Sequence, residues 1–244
     1  MITIAILTKD SEDTIKKTLE STKDFNEVII LDTGSKDRTL DIAKTYKNTK
    51  IFKEDFTSFG ELRNKAAKLS SNDWILALDS DEEISINLLK EIKDLKLDPS
   101  YIYNIPFHNY YNKKLIKCCG WYPEYHIRLY NRKKTQFDTA LVHEGLIKKG
   151  LKIRKLKNPI NHYSYRSLDD FLKKMQIYTS LFAKQNKGKK SSFTKALIHG
   201  FFAFFKCYFL KKGFLNGKEG FIISSYNANT AFYKYLKLDE INRI

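Results

Sequence analysis

The chain has 244 residues, 42% hydrophobic and 30% charged. That is the composition of a globular protein long enough to bury a core, and it excludes wholesale disorder. The net charge of +16 is uneven: residues 1–100 carry 16 Lys+Arg against 20 Asp+Glu, residues 101–244 carry 28 against 8. The acidic half suits a cation or a catalytic carboxylate. The basic half suits an anionic partner, whether nucleic acid, a lipid surface or a phosphorylated saccharide. Ten glycines and four prolines exclude collagenous and low-complexity classes. Three cysteines, with Cys118 and Cys119 adjacent and Cys207 remote, make no disulfide framework and fit a reducing cytoplasm.

Ile2–Leu7 is a short apolar run with no basic residue ahead of it and no small-residue cleavage site, so no signal peptide is expected. This run, Val28–Leu31 and Trp74–Leu78 look like parallel strands buried on both faces, with Ile51–Phe52 a weaker fourth. Helical patterns lie between them. Thr14–Thr22 aligns Ile15 with Leu19, Thr39–Tyr46 aligns Leu40, Ala43 and Tyr46, and Phe59–Leu69 aligns Leu62, Ala66 and Leu69. Strand–helix alternation predicts an α/β fold, a Rossmann-like and mostly parallel sheet flanked by helices.

In such sheets the ligand lies beyond the carboxyl ends of the strands. The segment after each main strand is polar: Thr8–Glu12, then Asp32–Thr39, then Asp79–Glu83. None of these segments is glycine-rich, and Gly34 is the only glycine before Gly60. That excludes the dinucleotide fingerprint and the P-loop. A bound diphosphate would then draw much of its counter-charge from a metal. Asp79-Ser80-Asp81 places two carboxylates at i, i+2, hard ligands for Mg²⁺ or Mn²⁺. The alternative is that these acids cap the helix starting at Ser85.

The segments TKDSEDTI, VIILDTGSKDRT, FGELRNKAA and DWILALDSDEE together resemble the family 2 glycosyltransferases of GT-A fold. PEYHIRLYNR, VHEGL, HYSYRSLDDF and KGFLNGKEGF continue the likeness toward the lipopolysaccharide-core β-glucosyltransferase branch. The resemblance implies an inverting transfer of a hexose, glucose in that branch, from a nucleotide diphosphate to an acceptor hydroxyl. It implies that Thr8 and Glu12 line the nucleotide pocket and that Asp32 faces the base, where a carboxylate accepting an imide N–H favours UDP. Asp32 could instead be a turn residue of DTGS. Asp37, Arg38 and Thr39 read as a cap for the next helix. Arg63 and Asn64 stand where the family has Arg-Asn and would touch the diphosphate or order a loop. Asp79 and Ser80 would approach the ribose or the metal, with Asp81 the direct metal ligand. One departure is Asp10-Ser11-Glu12, where the family often has Asn-Glu.

The second half supplies acceptor and base. Tyr101–Phe107 predicts a strand. Cys118–Arg132 is rich in aromatics and arginine, so Trp121, Tyr122 and Arg128 are acceptor candidates, against core packing or a water-facing strand position. An inverting transfer needs a general base. By resemblance this is Glu144 of VHEGL, with Asp138 as runner-up, and His162 would be a second metal ligand, against a histidine before a helix satisfied by backbone. Ser167 opens a capping-box-like start, and Phe171, Met175, Tyr178 and Phe182 recur at helical spacing. The run Ala196–Phe205, with lysines on both sides, is about half the length of a spanning helix and suits a helix lying in an anionic interface, against a buried core helix.

The expected organisation is therefore a GT-A catalytic domain over 1–165, with a nucleotide-sugar half (1–100) and an acceptor half (101–165). A basic helical extension occupies 166–244. The expected partners are a UDP-sugar donor, a lipid-linked saccharide acceptor and the cytoplasmic face of a membrane, with Mn²⁺ or Mg²⁺ and without nucleic acid. Competing readings are a nucleic-acid-binding protein, a phosphotransferase using the DxD, and transfer to a protein or capsule acceptor. No known nucleic-acid motif appears, and DxD comes after a later strand with Glu83 in place of the usual Thr.

Overall fold

The apolar runs form parallel strands in the computed structural model, which describes residues 1–138 and 145–243. They are β1 (Ile2–Thr8), β2 (Val28–Asp32), β3 (Thr49–Lys53) and β4 (Trp74–Asp79), ordered β3-β2-β1-β4. The chain leaves β1 in one direction and returns to its other side at β4, so the order reverses between β1 and β4. A crevice opens at such a switch point. Alternate residues of one strand bury on opposite faces. Ile4, Ile6, Val28, Ile30, Leu76 and Leu78 share one core with α1 (Ile15–Ser21) and α4 (Ile86–Asp94). Ala5, Leu7, Ile29, Leu31, Ile75 and Ala77 share the other with α3 (Phe59–Leu69). Burial on both faces is why these runs are continuously apolar. The remaining helix here is α2 (Thr39–Lys44).

Past β4 the sheet changes direction. β8 (Glu124–Asn131) runs antiparallel to β4, and then come, in order, β6 (Tyr101–Tyr111), β10 (Ile160–Tyr165) and β5 (Glu82–Ile84). β5 and β10 are antiparallel with His162 opposite Glu82. β7 (Lys114–Leu115) and β9 (Lys152–Lys155) pair with β6. The sequence indicated neither β5 nor β9, both too short to show a period.

The chain divides into two compact units, Met1–Phe107 with Tyr125–His162, and His108–Glu124 with Tyr163–Ile244. Residues 108–124, grouped in the sequence with the acceptor half, pack with the C-terminal helices. These are α5 (Leu168–Gln185), α6 (Phe193–Phe205) and α7 (Gly217–Arg243). Serines start α3, α4, α5 and α6 by accepting a backbone N–H, and at α5 the full capping box forms between Ser167 and Asp170. The second unit's core gathers Tyr111, Ile116, Phe171 and Ile223 around the free thiols of Cys118, Cys119 and Cys207.

Candidate active site

Side chains and backbone groups lace the carboxyl ends of β1, β2 and β4 together without a glycine-rich loop. Asp10 Oδ1 accepts from Lys36 N at 2.7 Å, and the Asp10 N–H donates to Ser35 Oγ at 3.0 Å. Glu12 N donates to Asp37 Oδ2, while Glu12 Oε2 accepts from Arg38 N. The Ser11 and Ser80 hydroxyls meet at 2.7 Å, and Ser80 O accepts from Thr18 Oγ1. Asp32 is buried and accepts from Gly34 N, Ser35 N and Ser35 Oγ. Gly34 adopts φ +95°, which glycine alone takes without strain, so DTGS is a turn held by its own carboxylate. Beside it Thr8 is buried, and its hydroxyl has no hydrogen-bond partner among the described residues.

Behind this rim lies an ion lattice. Arg63, 4% exposed on α3, reaches Asp79 Oδ1 at 2.7 Å. Arg128 on β8 reaches Asp79 Oδ2 at 3.2 Å and Glu82 Oε1 at 2.6 Å, and its guanidinium lies 5.3 Å over the Phe107 ring. Glu82 Oε2 accepts from Asp79 N. Burial pushes the Asp79 carboxyl up, but the Arg63 and Arg128 guanidiniums outweigh it and hold the group below the usual carboxylate range. Burial dominates at Glu82. Arg128 pulls down, Asp79 pushes up, and the carboxyl is raised to about 7. Arg128, its side chain 11% exposed, is held between the buried Glu82 and the half-buried Asp79. Arg63 is ion-paired with the same Asp79 carboxylate.

At the edge of this lattice the two metal-ligand candidates meet. His162 Nε2 lies 3.7 Å from Asp81 Oδ1, although 81 residues separate them in sequence. A carboxylate oxygen and an imidazole nitrogen are a fitting pair for Mn²⁺, whereas Mg²⁺ prefers oxygen throughout. Among the described residues no group of three or more His, Cys, Asp and Glu side chains converges. An ion held here would take its remaining ligands from the donor diphosphate and water.

Asn64 orders a loop. Its amide donates to Phe137 O and accepts from Phe137 N, both at 2.9 Å. The next residue, Asp138, exchanges backbone and side-chain bonds with Gly145. Helix α3 thereby fixes one end of the segment that carries the expected base. Glu144 itself lies outside the described residues.

The model of the family described as glycosyl transferase family 2 matches residues 3–214. The chain belongs to glycosyl transferase family 2. It is 30% identical to an uncharacterised glycosyltransferase of Rickettsia typhi, a match covering 99% of this chain and 87% of that one. It is 24% identical to the lipopolysaccharide core biosynthesis glycosyltransferase LpsC of Rhizobium meliloti, over 96% of this chain and 90% of the relative. Among solved structures, S. aureus TarS 1–349 in complex with UDP-GlcNAc aligns over 99% of this chain and 89% of that one, at 17% identity and a TM-score of 0.49. Family 2 membership and the GT-A type fold are as the sequence motifs implied.

In this family 2 chain the acceptor candidates separate. The Trp121 ring, partly buried, stacks on Tyr165 at 5.2 Å and on Phe171 at 6.2 Å, against the core of the second unit. Tyr122 is 43% exposed, with Lys117 Nζ 5.9 Å from its ring and His108 5.7 Å away. Sequence reasoning missed Glu82. Its spacing from Asp79, one turn of polypeptide past the strand, was the available signal.

Proposed function

We propose that the protein is a metal-dependent, inverting hexosyltransferase moving a hexose from a UDP-sugar to a hydroxyl of a lipid-linked saccharide. The observation that carries the reading is the meeting of Asp81 and His162 beside the Asp79–Arg63–Arg128–Glu82 lattice. A divalent cation there would neutralise charge on the leaving diphosphate. Asp81 and His162 would hold it. Arg63 and Arg128 keep Asp79 ionised and fixed, and Ser80 ties the DxD turn to the β1 loop. A carboxylate accommodates on the order of four donors. The turn uses three at Asp32, which leaves room for the imide N–H of uracil. Glu144 would take the acceptor proton as the hydroxyl attacks from the face opposite the leaving group, and Asp138 is the alternative. Tyr122 is the exposed ring for stacking on an acceptor sugar.

For the acceptor, the relative named for lipopolysaccharide core biosynthesis supports a saccharide built on lipid. Three free thiols support a reducing compartment, and the basic second half supports the anionic cytoplasmic face of a membrane. A thermal-shift panel of UDP-, GDP-, CDP- and dTDP-sugars, each with Mn²⁺ and with EDTA, tests the donor. The expected result is stabilisation by a UDP-sugar with Mn²⁺ alone, lost in Asp81→Ala. Stabilisation that is equal in EDTA would overturn the metal role.

A further inference from the structure

Helix α6 is built inside out. Its small residues Ala196 and Gly200 are fully buried, while Phe201 and Phe202 are 68% and 61% exposed. A Cβ on Gly200 would come within 3.2 Å of Phe232 Cβ and 3.4 Å of Ala228 O, so the small face is where α6 presses on α7. Phe193, Leu197, Ile198, Phe201, Phe202, Phe205 and Phe209 recur at spacings that put them on the opposite side of one continuous helical turn pattern. The α-helix runs on into a π-helical turn, Lys206–Leu210, and then a 3₁₀ turn, Gly213–Asn216, where Leu210, Phe214 and Leu215 are also exposed. A water-facing helix normally shows the reverse pattern. An apolar exposure of this extent marks a contact surface.

Charge says what that surface meets. Residues 171–218 contain eleven lysines and no acidic residue. Lys187, Lys189 and Lys190 precede α6 and Lys211, Lys212 and Lys218 come after it, all exposed. Building on the membrane contact proposed above, we propose that this face lies in the plane of an anionic bilayer. The Phe and Leu side chains enter the boundary of the acyl region, and the lysines meet lipid phosphates. Phe193–Leu210 is long and apolar enough to span a membrane by length and composition. Its packing argues for lying flat instead. The buried side of α6 is covered by α7, which carries Lys218, Glu219, Lys234, Lys237, Asp239 and Glu240. A spanning α6 would have to shed α7 or drag those charges into hydrocarbon.

The test is vesicle co-sedimentation of the full chain, wild type against Phe201→Glu with Phe202→Glu. The vesicles are phosphatidylcholine alone and phosphatidylcholine with phosphatidylglycerol. Wild type is expected to bind the anionic vesicles at least about tenfold more tightly than the neutral ones, and alkaline carbonate should release it. The double variant is expected to bind about a hundredfold more weakly while keeping the UDP-sugar thermal shift. Undiminished vesicle binding by the variant would overturn the assignment of this face and leave the membrane reading standing. No binding by wild type would overturn both. Retention through carbonate would overturn the in-plane placement. A lipid-free dimer in sedimentation equilibrium that the double variant splits would give the face to a second copy of the chain and overturn the lipid assignment.

Discussion

Glu27 and Glu82 are both buried carboxylates of the same sheet, and their surroundings are opposite. Glu27 stands at the amino ends of the strands, just before β2. It accepts from Thr3 Oγ1, Ser71 N, Ser71 Oγ and Lys50 Nζ at 2.6–2.8 Å. Burial raises its carboxyl, but these donors prevail and the group falls to about 2. Glu82 stands at the carboxyl ends. It shares Arg128 with Asp79, has Asp81 nearby, and is pushed up to about 7 by burial. At the amino end the Glu27 charge is answered by four donors. The carboxyl end crowds three carboxylates around two guanidiniums and a histidine. Burial and the neighbouring Asp79 and Asp81 carboxylates together raise Glu82, against the pull of Arg128.

The largest effect that would sharpen this contrast is on chemistry. Asp81→Ala is expected to lower transfer by about a hundredfold or more. Because Asp81 sits at the edge of the lattice, the variant's melting temperature should stay near wild type. UDP release in the presence of Mn²⁺ and a glycolipid acceptor measures the first, and a melt measures the second. A large fall in stability would show that Asp81 belongs to the scaffold instead.

Next comes the lattice. Arg128→Met leaves the buried Glu82 without its guanidinium and the half-buried Asp79 with Arg63, and is expected to cost about 3 kcal/mol in urea unfolding. Adding Glu82→Gln should recover part of that loss. Simple additivity of the two would contradict the shared contact.

Glu27→Gln probes the amino end. The Glu27 carboxyl is depressed from 4.5 to about 2 on folding, so its stabilisation is fully present above the unfolded value and is lost as pH falls toward 2. The variant is expected to be less stable than wild type by about 3 kcal/mol at neutral pH, with the gap closing between about pH 5 and about pH 2. A gap that does not vary with pH would mean that the charge is not what Thr3, Ser71 and Lys50 recognise. The smallest effect is at Asn64. Asn64→Ala removes both bonds to Phe137 and is expected to cost about 1–2 kcal/mol, read in the same unfolding experiment. Its fall in kcat should exceed any change in KM for the donor if the loop carries the base.

Much of the first unit could be read directly from residue order. The strands announced themselves because both faces are buried, which makes Ile4–Leu7 and Ile75–Leu78 apolar without a break. Thr39–Lys44 and Phe59–Leu69 began where the sequence put them. Pairing was not readable. Residue order leaves Arg63 and Asn64 between a diphosphate contact and a loop tie, and Arg128 between a site and a water-facing position; the partners Asp79, Phe137 and Glu82 lie 16 to 73 residues away. Helix α7 carried no legible stripe, because it is half-buried around most of its circumference. In the sequence the run of α6 ends at Lys206, ten residues after Ala196. The helix continues through that lysine because a long side chain can carry its charge out to solvent while its backbone stays helical.

Composition and order alone determined the parallel strands, the polar segments at their carboxyl ends, the exclusion of glycine-rich phosphate loops and the basic character of the second half. Tertiary structure decided which carboxylates are neutralised, which candidate pair meets, and that the phenylalanines of α6 face outward. The reason is physical. Strand and helix formation depend on neighbours a few positions apart, whereas the state of a charge or the covering of an apolar face depends on groups brought within a few ångströms from distant parts of the chain.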